Sequence, residues 1–135
     1  MTLQYSVTVR NAKLDAVEAA IGASAILEIR TGAAPADCSQ ADNGTVLATL
    51  NLPADWMDDA SGGSKSMNGT WEDASADGTG VAGHFRIKDG SGTTCHAQGT
   101  ISGTGGSGDM ILDNTSFAEG QQFSITSFTI TAGNA

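Results

Sequence analysis

The sequence predicts a mainly β protein: an antiparallel two-sheet sandwich, jelly-roll-like, with one short N-terminal helix. Three observations point there. Gly, Ser, Thr and Ala are abundant, with 18 glycines in 135 residues, while Lys, Glu and Gln are scarce. From residue 25 onward apolar and polar residues alternate with period two, the signature of half-buried strands. Turn-rich segments separate these runs and no helical period lies between them, which disfavours a parallel α/β fold.

Residues 3–9 alternate like a short strand or extended arm. The following segment, 12–21, is expected to be helical. Leu14, Val17 and Ile21 recur at helical spacing, Asn11 suits the N-cap, Asp15 complements the helix dipole, and Gly22 suits the position past the C-terminus. Such a helix has about three turns and needs its apolar stripe packed to persist.

In the strands, Ala25, Leu27 and Ile29 face one way while Glu28 and Arg30 face the other. Val46, Ala48, Leu50 and Leu52 share a face. Lys65–Trp71 is a weaker strand. Over Val81–Lys88, Val81, Gly83, Phe85 and Ile87 are expected inward, with His84, Arg86 and Lys88 outward. Asp89-Gly90-Ser91-Gly92 signals a hairpin into the next inward row, Cys95, Ala97, Gly99 and Ile101. Gly103–Gly108 is a loose turn into a short strand at Met110–Asp113. In the last strand Phe123 and Ile125 set one phase and Phe128 and Ile130 the opposite one. A half-buried strand cannot do that without a bulge or corner, so a bend is predicted at Thr126–Ser127. The chain reads as an arm and helix over 1–22 and a β-sandwich over 23–135.

The charge balance excludes several functions. Fifteen acids against 6 bases give a formal charge of −9, so neither nucleic acid nor an anionic membrane is an expected partner. No stretch approaches the ~20 apolar residues that span a bilayer. The N-terminus has no basic segment followed by an apolar run, so no export signal is expected. Cys38 and Cys95 can form one disulfide or stay as two thiols, and without export thiols are the expectation. The Asn-x-Ser/Thr triplets at Asn43, Asn68 and Asn114 then read as turn chemistry.

Motifs for catalysis and metal binding are weak. Asp55, Asp58, Asp59, Glu72, Asp73 and Asp77 could offer oxygen ligands to calcium, but their order is not that of an EF-hand, and solvated loop carboxylates are the plainer reading. His84, Cys38, Cys95 and His96 have ligand chemistry for zinc, yet alternation sends Cys95 and His96 to opposite faces. No motif pairs a nucleophile with a base. The glycine-rich run 103–108 has neither the Lys nor the following helix of a phosphate loop. The expectation is a protein with no cofactor and no enzymatic activity. Trp71 is expected in the core, whereas Trp56, beside Met57, is a contact residue if exposed.

Four stretches carry a resemblance: Leu27-Glu28-Ile29-Arg30-Thr31-Gly32-Ala33-Ala34-Pro35, Leu52-Pro53-Ala54-Asp55-Trp56-Met57, Gly80–Lys88, and Asp113-Asn114-Thr115-Ser116-Phe117 with Phe123–Ala135. In these the sequence resembles small virion proteins of tailed bacteriophages. The further expectation is a capsid decoration, or cement, protein. Jelly-roll proteins of that class sit outside the shell and bridge neighbouring capsomers.

This implies the major capsid protein as partner, a homo-oligomer (dimer or trimer), synthesis in the host cytoplasm and residence on the capsid surface. The expected partner-binding residues are Leu3, Tyr5, Leu14, Val17, Ile21, Trp56 and Met57. The competing expectation is a tail- or fibre-associated sandwich that contacts receptor or glycan through Trp56 and the acidic loops. A free carbohydrate-binding module is disfavoured by the missing export signal.

Overall fold

A computed structural model of the chain describes residues 3–133. It is mainly β, with helix α1 (Val7–Ile21) and nine strands: β1 (Ile26–Thr31), β2 (Val46–Asn51), β3 (Ser64–Ser66), β4 (Glu72–Asp73), β5 (Gly80–Lys88), β6 (Cys95–Gly103), β7 (Met110–Leu112), β8 (Ser116–Phe117) and β9 (Phe123–Thr131).

The helix begins earlier than its apolar spacing predicts. Ser6 is the N-cap, its Oγ accepting from Val9 N at 3.2 Å. This cap draws Val7, Thr8 and Val9 into the first turn, although their alternation and β-branching read as strand. Asn11 is therefore internal, and its Oδ1 accepts from Gly63 N at 2.9 Å. Gly22 closes the helix as expected, with φ 95° and its N–H bonded to Glu18 O at 2.9 Å.

Hydrogen bonding joins the strands in the order β2-β1-β5-β6-β7-β9-β3, with β4 beside β9 and β8 beside β5. The sequence predicts two antiparallel sheets; the strands instead form one connected, mixed sheet. The β6–β7 pair is parallel, Ile101 opposite Met110, because the 104–109 turn carries the chain back to the start of the register. The sheet curls enough for β9 to meet β5 through their side chains. Phe128 packs edge-on against Phe85 at 5.4 Å, and Trp71 links Phe128 to Trp56 at 5.8 and 6.0 Å.

Single-residue bulges set the faces. The predicted bend is one: Ser127 pairs with Ile111 and Ile125 with Leu112, leaving Thr126 unopposed. Thr126 and Ser127 are both exposed, while Ile125 and Phe128 are buried on either side. Three further bulges shift faces that uniform alternation assigns otherwise. Leu47 is extra between Val46 and Ala48, so Leu47 is buried and Val46 only partly so. Gly83 is extra between Ala82 and His84, which leaves Val81 on the surface and Ala82 in the core. His96 is extra between Cys95 and Ala97, so Cys95 lies opposite Lys88 instead of in the inward row.

Gly83 and Gly99 are required by close approach: a Cβ at Gly83 would strike the Gly32 carbonyl, and one at Gly99 would stand 2.9 Å from the Phe85 ring. The Asp89 hairpin forms as predicted, closed by Gly92 N to Asp89 O at 2.9 Å.

Candidate functional site

The largest apolar side chains on the surface are concentrated at one end. Leu3, Tyr5, Val7, Val9 and Val17 are exposed, and outside this region only Val81 joins them among the described residues. Leu3 is the most open at 69%, and Val17 stands at 38%. The Tyr5 ring lies under the Lys13 ammonium at 4.7 Å. Beside Val17, a shallow groove of about 330 Å³ runs between the helix and His96, lined by Lys13, Ala16, Val17, Ala20 and Ile21.

The other predicted contact residues lie inside. Leu14 and Ile21 are buried on the helix face turned to the sheet, and Trp56 and Met57 are buried in the core. Trp56 donates its indole N–H to Gly22 O at 2.9 Å, which ties the end of the helix to the loop that carries the ring. These four are buried and stabilise the fold, only the edge of Ile21 reaching the groove. Val7 and Val9 are exposed residues that the sequence pattern hides, because alternation places them on a strand.

The helix is fixed in place by polar contacts to the 57–66 segment. Met57 N donates to Glu18 Oε2 at 3.0 Å and Ala60 N to Asp15 Oδ1 at 3.0 Å. The Lys65 ammonium, nearly inaccessible, stands 2.8 Å from Asp15 Oδ1, 2.9 Å from Glu18 Oε1 and 2.8 Å from Asp58 O, so all three donors are used. Burial pulls the Lys65 pKa down, but the bonds to Asp15 and Glu18 outweigh it and hold the amine above its ordinary value. The same Lys65 bond, with help from Ala60 N, lowers Asp15. Hydrogen bonding to Glu18 raises Asp55.

The outward row of β5 is not solvated, contrary to its alternation. His84, Arg86 and Lys88 are all buried, because the aperiodic 32–44 loop folds over this face. Asp42 in that loop is the hub. Its carboxylate meets Arg86 Nη1 at 2.6 Å, Lys88 Nζ at 2.7 Å and Arg30 Nη2 at 3.2 Å. Glu28 completes the cluster, 2.9 Å from Arg30 and 3.0 Å from Lys88. The Lys88 bond, joined by Arg86 and opposed by burial, holds the Asp42 carboxyl down at about 2. Arg86 also donates to Gln40 O and Asp37 O, and Gln98 Nε2 donates to Pro35 O at 2.7 Å.

Three of the chain's 6 cations are thus consumed by an internal clamp. Sequence reasoning missed it, although Glu28, Arg30, His84, Arg86 and Lys88 on one face of adjacent strands are a legible signal. A cleft of about 610 Å³ opens at its edge, bounded by Cys38, Asp42, Arg86, Lys88, Thr94 and Cys95.

The remaining candidates disperse. Cys38 and Cys95 are free thiols on that cleft. His84 turns Nδ1 to Gly32 O, and His96 stands 3.9 Å from Asp89. Asp73 accepts from Ser75 N in a local turn, and Glu72 lies opposite Ser124 in β4. Among the described residues no group of three or more His, Cys, Asp or Glu side chains could hold a metal ion. No helix among them is long and apolar enough to cross a membrane. Asn43 and Asn114 accept from Gly44 N and Ser116 N at 2.9 Å, turn bonds of the kind their triplets predict. Comparison with known protein families, with curated proteins and with solved structures finds no match to this chain.

Proposed function

We propose that this chain is a structural assembly protein that docks through its N-terminal end. In this reading it decorates the outside of a phage capsid, bridging neighbouring capsomers of the major capsid protein as a dimer or trimer. The observation that carries the proposal is the concentration of exposed large apolar residues between Leu3 and Val17. Large apolar side chains left exposed along one segment are a cost in a free chain and an asset at an interface. Elsewhere the acidic surface, with a net charge of −9, favours solubility before assembly. The choice of a phage shell as partner rests on the resemblance to small virion proteins of tailed phages. The curled sheet then serves as a jelly-roll-like scaffold that projects outward, without catalysis or a cofactor.

The tail or fibre alternative relies on Trp56 as a surface anchor, and its burial leaves that reading without its main contact residue.

Deleting residues 1–22 would not test the proposal, since it removes Asp15 and Glu18 from a buried Lys65. The test is reconstitution of shells that lack the chain with wild type and with the variant Leu3→Ser/Val7→Ser/Val17→Ser. Co-sedimentation of wild type and loss of at least tenfold in occupancy for the variant support the reading. Equal occupancy, or no binding by wild type, contradicts it.

A further inference from the structure

The 32–44 loop is held on the sheet at three backbone points around Cys38: Pro35 O by Gln98, Asp37 O by Arg86, and Gln40 O by Arg86. On the other side, the His96 bulge turns Cys95 away from the core and sets it opposite Lys88, two residues from Arg86. The loop and the bulge therefore bring two residues 57 positions apart (95 − 38) to one cleft. There Cys38 and Cys95 line the same cleft, each only partly buried. Neither cysteine serves the hydrophobic core cluster.

We propose that Cys38 and Cys95 are an oxidation site, closing to an intramolecular disulfide that straps the 32–44 loop covalently to β6. The co-reactant is a small-molecule disulfide such as oxidised glutathione. One protein thiolate attacks it and releases one glutathione thiol; the second protein sulfur displaces the other glutathione from the mixed disulfide. The two protein thiols lose two protons and two electrons, and one glutathione disulfide becomes two thiols. Burial, with Cys38 alongside, pushes the Cys95 thiol up to about 12. Thiolate is therefore scarce, and closure is slow at neutral pH and faster in mild alkali. Once closed, the covalent strap holds the loop in addition to the Asp42 ion clamp, which still compensates the buried Arg86 and Lys88.

The test uses the full chain incubated with glutathione disulfide at pH 8, then digested without reduction and weighed. The expected result is loss of both free thiols, a mass two units lower with no retained glutathione, and a peptide joining Cys38 to Cys95. Closing a loop of this length raises the thermal midpoint by roughly 10 °C. Cys38→Ser and Cys95→Ser should show no such rise under the same treatment. Two thiols that stay free, a stable glutathione adduct, or a disulfide between chains in place of the intramolecular link each overturn the proposal.

Discussion

The ammonium of Lys65 in β3 stands 2.8 Å from the Asp15 carboxylate of α1, and Glu18, one turn on, stands 2.9 Å from the same nitrogen. This contact makes the N-terminal helix part of the folded body, while Val7, Val9 and Val17 on the same helix stay exposed. Buried and exposed positions of one helix thus have separate duties, and substitutions can separate them.

Removing the carboxylates should be far worse than removing the lysine. Asp15→Asn with Glu18→Gln leaves a buried ammonium uncompensated, and the thermal midpoint is expected to fall by roughly 10 °C. Lys65→Met leaves two acids of which Asp15 is 48% exposed and can hydrate, so a drop of only about 3 °C is expected. Calorimetry on the variants checks the order.

On the helix, depth decides the outcome. Leu14→Ala empties a buried site and should cost about 2–4 kcal/mol. Val17→Ser, at the surface, should stay within about 0.5 kcal/mol of wild type while weakening attachment to the shell. Denaturant titration and co-sedimentation of the same samples measure both.

Asp42 governs acid sensitivity of the loop clamp. Its folded pKa of about 2 lies below the ordinary aspartate value of 3.8, so its contribution is fully present above pH ~4 and lost as pH falls through 2. With its side chain 34% exposed, solvent screening reduces that contribution to about 1 kcal/mol. Asp15, Asp37 and Asp89 are lowered in the same direction. Asp42→Asn should therefore destabilise the protein at pH 6 and flatten its stability profile between pH 4 and 2, as read from urea unfolding.

The Gly83 bulge has no room for a side chain. Gly83→Ala drives a methyl group into the Gly32 carbonyl and is expected to cost at least about 2 kcal/mol. The same change at exposed Gly105 also strains a backbone with φ 86°, but meets no neighbouring atom and should cost less. Thermal unfolding of the pair separates steric clash from backbone strain.

The strands were largely legible because period two survives in short runs, and the Thr126 bulge was legible because two aromatic residues, Phe123 and Phe128, mark its opposite phases. The bulges at Leu47, Gly83 and His96 were not. Each is flanked by small or ambiguous residues, Ala48, Ala82 and Ala97, which fit either face. Uniform alternation therefore misplaced Val46, Val81 and Cys95. The helix start was hidden because the Ser6 cap competes with β-branched residues that favour strand. Of the surface, Leu3, Tyr5 and Val17 were readable from position, whereas Trp56 is withdrawn by a tertiary bond to Gly22 that no local pattern encodes.

Reconstruction of particles carrying this protein tests the central claim most directly. The account predicts density on the outer shell, with residues 3–17 buried against capsomers and the Asp89 hairpin toward solvent. Density confined to the tail, or residues 3–17 facing solvent while another surface meets the shell, would contradict it.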